Sequence, residues 1–395
     1  MMQISPEIQL FIREHSSDDV RVLALQAKKY PDIDMPTVIT QIAGRKVAAE
    51  KIPSWWEIEK IWYPKHLSLE QCSSEITARY KARLLQGDSL TDLTGGFGID
   101  CSFLATGFKS ATYVERQEEL CEIAAHNFPV LNLNHINIKN EDGVTYLQAM
   151  SPVDCLFLDP ARRNEHGGKT VAISDCEPNV AELEELLLQK ANRVMIKLSP
   201  MLDLSLALKE LKQTQEVHIL SVNNECKELL ILLGQTSPAE ISIHCVNLFT
   251  KGTQKEQHFV FTREQEQCSE CTYTDSLETY LYEPNASLLK AGAFRSIAAA
   301  YPVRKLHPNS HLYTSDTFIE NFPGRIFRIV NQCSFNKKEV KENLADLKKA
   351  NVTVRNFPAT VAELRKRIHL AEGGDTYLFA STLNNGQKVL IRCEK

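Results

Sequence analysis

The acidic residues that follow apolar stretches are the first sign of chemistry in this sequence. Asp92 precedes Thr94, Gly95, Gly96, Gly98 and Asp100 in the run Leu-Thr-Asp-Leu-Thr-Gly-Gly-Phe-Gly-Ile-Asp, residues 90–100. Residues 89–93 read as a short buried strand, and an apolar stretch from Cys101 opens a helix. Strand, glycine turn and helix together present free backbone N–H groups to a ligand, and glycine lets the backbone approach it closely. A dinucleotide fingerprint needs a third glycine where Cys101 stands. A carboxylate at Asp92 suits a ligand that carries an ammonium and fits poorly against a pyrophosphate. The competing reading is an ordinary tight turn with no ligand.

Further acids follow the same rule. Glu115 closes an apolar stretch about 20 positions after the glycines, where an acid can accept both hydroxyls of a ribose. Asp142 lies in Asn140-Glu141-Asp142-Gly143. Asp159-Pro160-Ala161-Arg162-Arg163 follows the apolar residues 153–158, and Lys197 lies near the end of 193–198. Each has a plain alternative: the acids as helix N-caps, the arginines as solvated charges, Lys197 as the partner of a carboxylate. A guanidinium at 162 or 163 also fits a phosphate, and Lys197 could contact one too.

These residues need a scaffold that brings strand ends together. From residue 88 strands alternate with helices, which predicts a parallel sheet from 89–93, 111–114, 136–139, 153–158 and 193–198. Residues 217–223 and 228–234 are separated by a short link and predict an antiparallel pair. Residues 241–249 and 258–262 add a hairpin. Residues 265–275 read as a polar linker; its lone Cys268-x-x-Cys271 has no second pair, so no metal is expected.

Residues 1–85 read as helical, with Asp34 capping a helix that carries Pro36 and ends at Pro53. Ser68 and Gln71 have the capping-box spacing. Trp55, Trp56 and Trp62 lie between; they read as core anchors, or as a platform for a base. In the C-terminal region, 280–284 is a strand and Asn285 caps a helix through Tyr301. A strand at 325–330, a helix at 337–350 and a strand at 352–357 follow. Thr360 and Glu363 form a capping box, Gly373-Gly374 ends that helix, and 377–383 and 388–392 form a hairpin about Asn385-Gly386. The division is 1–85, 86–265 and 276–395.

Composition restricts the classes. The chain has 395 residues, 43% hydrophobic and 24% charged, as in ordinary globular proteins. No apolar run approaches the ~20 residues that span a bilayer, and no signal peptide is expected. Eleven scattered cysteines without an export signal read as reduced thiols of a cytoplasmic protein. The net charge of −5 is uneven. From Pro323 onward there are 14 Lys+Arg against 7 Asp+Glu, a local +7, and the remainder has 31 against 43, or −12. A basic terminal region on an acidic body suits a nucleic-acid anchor, or a solvated surface without a partner.

The pattern Asp92-x-Thr94-Gly95-Gly96-x-Gly98-x-Asp100 resembles the first motif of class I S-adenosylmethionine-dependent methyltransferases. Asp159-Pro160-Ala161-Arg162 resembles the Asp-Pro-Pro-Tyr motif of amino-group methyltransferases, with Ala161 for the second proline and Arg162 for the stacking aromatic. The last 70 residues, with Arg365-Lys366-Arg367, resemble the THUMP-like domains of RNA-modifying enzymes. Nearly the whole chain is similar to bacterial class I methyltransferases with THUMP-like C-terminal domains. That resemblance implies a Rossmann-like seven-stranded α/β sheet, an N-terminal helical subdomain and a C-terminal ferredoxin-like/THUMP-like α+β module. It implies S-adenosylmethionine held by Asp92, Thr94, Gly95, Gly96, Gly98, Asp100, Glu115, Asp142 and Asp159, with Asp142 at the adenine amino group. It places Asp159 and Pro160 at the transfer, on a base amino group, and Arg162, Arg163 and Lys197 on the substrate. RNA is the implied partner, with neither membrane nor metal. The rivals are a protein or small-molecule acceptor, and an RNA-binding protein that no longer transfers. A cysteine nucleophile such as Cys226 has no evident activating partner.

Overall fold

The computed structural model describes residues 5–162, 172–236 and 238–395. The chain divides into two compact units, Met1–Gln215 with Leu229–Pro238, and Glu216–Glu228 with Ala239–Lys395. The first opens with helices α1 (Pro6–Glu14), α2 (Val20–Leu25), α3 (Met35–Lys51), α4 (Pro53–Trp56), α5 (His66–Gln71) and α6 (Glu75–Ala82). Ile52 ends α3 because Pro53 cannot continue it and starts a new turn. Asp34 bonds the Thr37 hydroxyl (2.6 Å) and no backbone N–H. Ser68 is not a cap as its spacing suggested: it lies inside α5, and the next helix starts after Ser74.

The sheet of this unit is built from β1 (Ser89–Asp92), β2 (Ser110–Glu115), β3 (Ile136–Asn140) and β4 (Val153–Leu158), with helices α7 (Ile99–Ala105), α8 (Glu118–Val130) and α9 (Gly143–Ala149) as crossovers. After β4 the two-residue strands β5 (Ala161–Arg162) and β6 (Cys176–Glu177) pair antiparallel. Then come α10 (Val180–Lys190), β7 (Ala191–Leu198) and α11 (Leu204–Glu210). A hairpin of β8 (Thr214–Val222) and β9 (Glu225–Gly234) turns on Asn223 and Asn224, both at positive φ, and the division between the units falls within it.

Within the first unit the strands run β3-β2-β1-β4-β7-β9. The first five are parallel and β9 is antiparallel to β7. The seventh strand of the expected sheet is β8, the other arm of the hairpin. Strands β4 and β7 are buried over most of their length, with apolar runs at 155–158 and 194–196, as befits central strands of a parallel sheet. The helical lead-in shares a core with the sheet unit: Ala48, Ile52, Trp55, Ile61, Tyr63, Leu69 and Ala78 pack with Phe97, Ile99, Leu120 and Ile123. Trp55 meets Phe97 edge-on at 5.2 Å, as a core anchor. Trp62 stacks on His126 at 3.8 Å, while Trp56 is exposed.

In the second unit β8 pairs in parallel with β10 (Ser242–Leu248), which pairs antiparallel with β11 (Glu256–Thr262). The expected linker is partly helical: α12 (Arg263–Cys268) starts on a capping box of Thr262 and Gln265. After β12 (Tyr280–Pro284), Asn285 caps α13 (Ala286–Ala291). Gly292, at φ +77°, closes that helix, so the single helix expected through Tyr301 is two, the second being α14 (Phe294–Ala300). There follow β13 (Arg304–Lys305), β14 (Tyr313–Ser315), β15 (Gly324–Ser334), α15 (Lys337–Leu344), β16 (Lys349–Val354), α16 (Val361–Ile368), β17 (Ala371–Thr382) and β18 (Lys388–Glu394). Their sheet runs β13-β14-β12-β15-β18-β17-β16. The helix expected at 337–350 stops at Leu344, and β16 has already begun at Lys349. His369, at φ +56°, ends α16; Gly373-Gly374 lies within β17, where its register against β16 shifts.

Candidate functional site

Parallel strands deliver their C-terminal ends to one edge of a sheet, and four of the predicted acids lie there. Asp92 ends β1, Glu115 ends β2, Asp142 follows β3 and Asp159 follows β4. Register fixes the spacing: Asp92 pairs with Phe157, two residues before Asp159, and Leu158 pairs with Ile196, the residue before Lys197. The turn after β1 is tightly packed. A Cβ on Gly95 would lie 2.2 Å from a Tyr113 ring carbon. Gly96, at φ +54°, is different: a Cβ there would meet only the Thr94 carbonyl, at 3.8 Å, so its side of the turn is open. The Tyr113 hydroxyl donates to the Gly96 carbonyl at 2.5 Å and holds that opening in place.

Three carboxylates and two ammoniums meet beside this turn. Asp92 is completely buried. Its Oδ1 accepts from the Thr94 N–H at 3.0 Å, and its Oδ2 has no partner. Burial pushes its carboxyl up to about 8, with the Thr94 bond opposing and Asp100 and Asp159 adding to the rise. Asp100, in the first turn of α7, pairs with Lys81 at 2.8 Å and with Lys197 at 3.3 Å. Burial alone would raise Asp100, but the two ammoniums overcome it and hold the carboxyl down at about 2. The Ser73 hydroxyl donates to Asp100 at 2.7 Å and accepts from Lys81 (2.7 Å) and Lys197 (3.1 Å). Lys197 also reaches Asp159 Oδ2 at 2.5 Å. The Asp159 backbone N–H donates to Thr94 Oγ1 at 2.6 Å, tying the residue after β4 to the glycine turn.

The remaining predicted residues divide. Glu115 accepts from the Gly96 N–H (2.9 Å) and the Gln117 N–H (2.8 Å), so its carboxylate braces the glycine turn and the link that leads into α8. Asp142 caps α9: Val144 and Thr145 N–H both donate to its Oδ1 at 3.0 Å. Pro160 is buried directly after Asp159. Arg162 lies in β5, and Arg163 falls outside the described residues. Lys81 and Ser73 were missed. Their signal was present, since Thr77, Ala78 and Lys81 share the buried face of α6, and a lysine on an apolar face needs a partner.

Other candidates carry less. Burial raises the Cys226 thiol to about 11, which leaves it protonated and unreactive. Among the described residues, Glu216, His218 and His244 bring metal-ligating atoms within 4.8 Å of one another. The two rings stack at 4.3 Å with planes 16° apart, so their lone pairs lie in near-parallel planes. None of the eleven cysteines is in a disulfide. Among the described residues no helix is long and apolar enough to cross a membrane.

Comparison with known proteins places the whole chain. Residues 280–323 match a family described as a ferredoxin-like domain, and residues 324–395 one described as THUMP domain-like. No curated protein matches the chain. A candidate methyltransferase from Porphyromonas gingivalis W83, known as a crystal structure, is 35% identical; the match covers 98% of this chain and 97% of that one, with a TM-score of 0.88. An rRNA methylase from Streptococcus thermophilus is 14% identical over 40% of this chain and 93% of its own, with a TM-score of 0.29. A candidate methyltransferase from Streptococcus mutans, in complex with SAH, is 13% identical over 40% and 96%, at 0.30. Likenesses of that size have no bearing on this chain. The first does: an α/β sheet unit and a C-terminal ferredoxin-like and THUMP-like region are matched from end to end, and the chain belongs to the family of the Porphyromonas gingivalis methyltransferase-fold protein.

Proposed function

We propose that this protein is an S-adenosylmethionine-dependent methyltransferase acting on RNA. The observation that carries the cofactor is the charge count beside the glycine turn. Among the described residues, Asp92, Asp100 and Asp159 face Lys81 and Lys197; Asp100 Oδ1 lacks a hydrogen bond but meets the Lys81 ammonium at 2.8 Å, whereas the buried Asp92 Oδ2 has neither a hydrogen bond nor an ion pair. A ligand ammonium would satisfy that oxygen and balance the third carboxylate. The open side of Gly96 leaves room for the ligand backbone. Glu115 retains acceptor capacity for ribose hydroxyls beside its two backbone bonds, and Asp142 Oδ2 is available beyond its capping role. When bound, the cofactor supplies an electrophilic sulfonium methyl. The protein's share is to hold an acceptor in line beside Asp159 and Pro160.

RNA as the acceptor is supported by the THUMP-like match over residues 324–395 and by the local charge of +7 from Pro323 onward. Calorimetric titration of the purified protein with S-adenosylmethionine, with NAD as control, tests the cofactor. Micromolar binding of the first alone is expected, lost in Asp92→Ala and weakened in Glu115→Ala. Binding of neither cofactor, or of NAD in preference, would sink the proposal.

A further inference from the structure

Two buried ammoniums at the acceptor side are more than cofactor binding asks for. Lys81 is fully buried and Lys197 is only 7% exposed. Both lean on Asp100 and Ser73, and Lys197 alone extends to Asp159, the residue that opens the acceptor motif. An amino acceptor has no use for this arrangement. It brings its own lone pair, and it needs carboxylate and carbonyl oxygens to receive its N–H groups. Here Asp159 Oδ2 is taken by an ammonium. A base acceptor also needs a stacking partner when it is drawn out of its helix. This motif offers Ala161 and Arg162 in place of an aromatic. An arginine suits the sugar–phosphate backbone instead.

We infer that the acceptor is a hydroxyl, the ribose 2′-OH of RNA, and that Lys197 is the general base that takes its proton. The inference rests on the proposed RNA methyltransferase reading and names its acceptor atom. A ribose hydroxyl is a poor nucleophile until it is deprotonated, and lysine becomes a base where it is desolvated beside another cation. Lys197 meets both conditions, with Lys81 held on the same carboxylate. Lys81, wholly enclosed, is a positioning residue. The charged and titratable groups around Lys197 are Asp159 after β4, Asp100 on α7, Asp92 at the end of β1, Lys81 on α6 and the Cys72 thiol ahead of α6. The carboxylates favour the ammonium. Lys81 opposes it, and a sulfonium beside Lys197 would add a second positive charge that favours loss of the proton.

The step then balances. The hydroxyl proton moves to the Lys197 Nζ lone pair and makes an ammonium. The oxygen forms a bond to the methyl carbon, the carbon–sulfur bond breaks, and its electron pair stays on sulfur as a neutral thioether. The product is a 2′-methyl ether, and Lys197 returns its proton to solvent.

The test uses the full chain with methyl-tritiated S-adenosylmethionine and total RNA, followed by alkaline digestion. A 2′-O-methyl group removes the hydroxyl that alkali needs to cleave the chain, so label in alkali-stable dinucleotides is the expected result. Label in mononucleotides, on the base, overturns the hydroxyl acceptor and leaves RNA methylation standing. No label in either overturns both. The base is tested by calorimetry of S-adenosylmethionine binding in two buffers of different ionisation enthalpy. Asp92 also gives up a proton when a ligand ammonium settles on it, so smaller proton release is expected from Lys197→Arg than from the wild type, and equal release from the two overturns the assignment. Lys197→Arg keeps the charge but cannot serve as a base. It is expected to lower kcat by roughly 100-fold or more with little change in cofactor affinity, and to abolish the rise of kcat with pH. Wild-type kcat in that variant would show that Lys197 only neutralises Asp159.

Discussion

Asp92 is a residue whose folded environment works against it until something binds. Its carboxyl lies at about 8 against an ordinary value of 3.8, because burial disfavours its charge and Asp100 and Asp159 repel it. A group whose folded pKa is raised contributes its full stability below the unfolded value and loses it as pH rises through the folded one. Asp92 therefore costs the unliganded protein stability progressively between about pH 4 and 8, to a total of a few kcal/mol. Asp92→Asn keeps the acceptor for the Thr94 N–H and removes the charge. Thermal melts of the unliganded proteins at pH 8.5 are expected to place Asp92→Asn above the wild type, with the gap closing toward pH 4. The same substitution is expected to weaken S-adenosylmethionine binding strongly. A variant that melts no higher and binds as well would mean that the Asp92 charge has no role in holding a ligand. At this scale the sequence was only partly legible. The acids and Lys197 stood out because they follow apolar strands. Their pairings did not, since Lys81, on α6, and Ser73, in the link before α6, lie 19 and 27 positions before Asp100 in the sequence.

The element that organises these residues is the turn between β1 and α7, and its glycines answer different demands. Gly95 is set by contact, since a methyl there overlaps the Tyr113 ring at 2.2 Å. Gly107, just past α7, faces nothing closer than the Leu104 carbonyl at 3.7 Å. Gly95→Ala is expected to cost about 1–3 kcal/mol by forcing Tyr113 off its place, while Gly107→Ala should fall within about 0.5 kcal/mol of wild type. Chemical denaturation of both checks this, and equal midpoints would refute the packing account. Elements of this kind were legible where turn chemistry and period agreed. Strand β4 was expected at 153–158 and found there, and Thr360 and Glu363 form the capping box that their spacing predicted. Misreadings fell where local signals competed. Ser68 has the residue types of a capping box, yet α5 is already under way from His66. Around 345–350 the helical pattern persists in the sequence, but β17 offers a parallel partner to Lys349 and Ala350, and strand pairing overrides helix propensity.

At the scale of the whole molecule, the charge is divided along the chain, and the proposed action on RNA would use this division. Every residue proposed to hold the cofactor belongs to the first unit, and the basic stretch belongs to the second. Within that stretch α16 ends in Arg365, Lys366 and Arg367, which also complement the negative end of its helix dipole. Arg365 faces Glu372, at 3.8 Å, while Lys366 and Arg367 are exposed and Arg367 lies over the Phe335 ring at 4.1 Å. An exposed cation beside an exposed guanidinium that already sits on an aromatic face can bind a phosphate without the cost of burying a charge. Each phosphate contact releases counterions, so the dependence of affinity on salt counts the contacts. Full-length protein is expected to bind RNA with a negative log–log salt slope. Lys366→Ala with Arg367→Ala should reduce that slope by about 1 to 2 and leave calorimetric S-adenosylmethionine affinity unchanged. A slope that does not move would exclude α16 from the RNA surface. A loss of cofactor affinity in the same variant would show that the two activities are not separable along the chain.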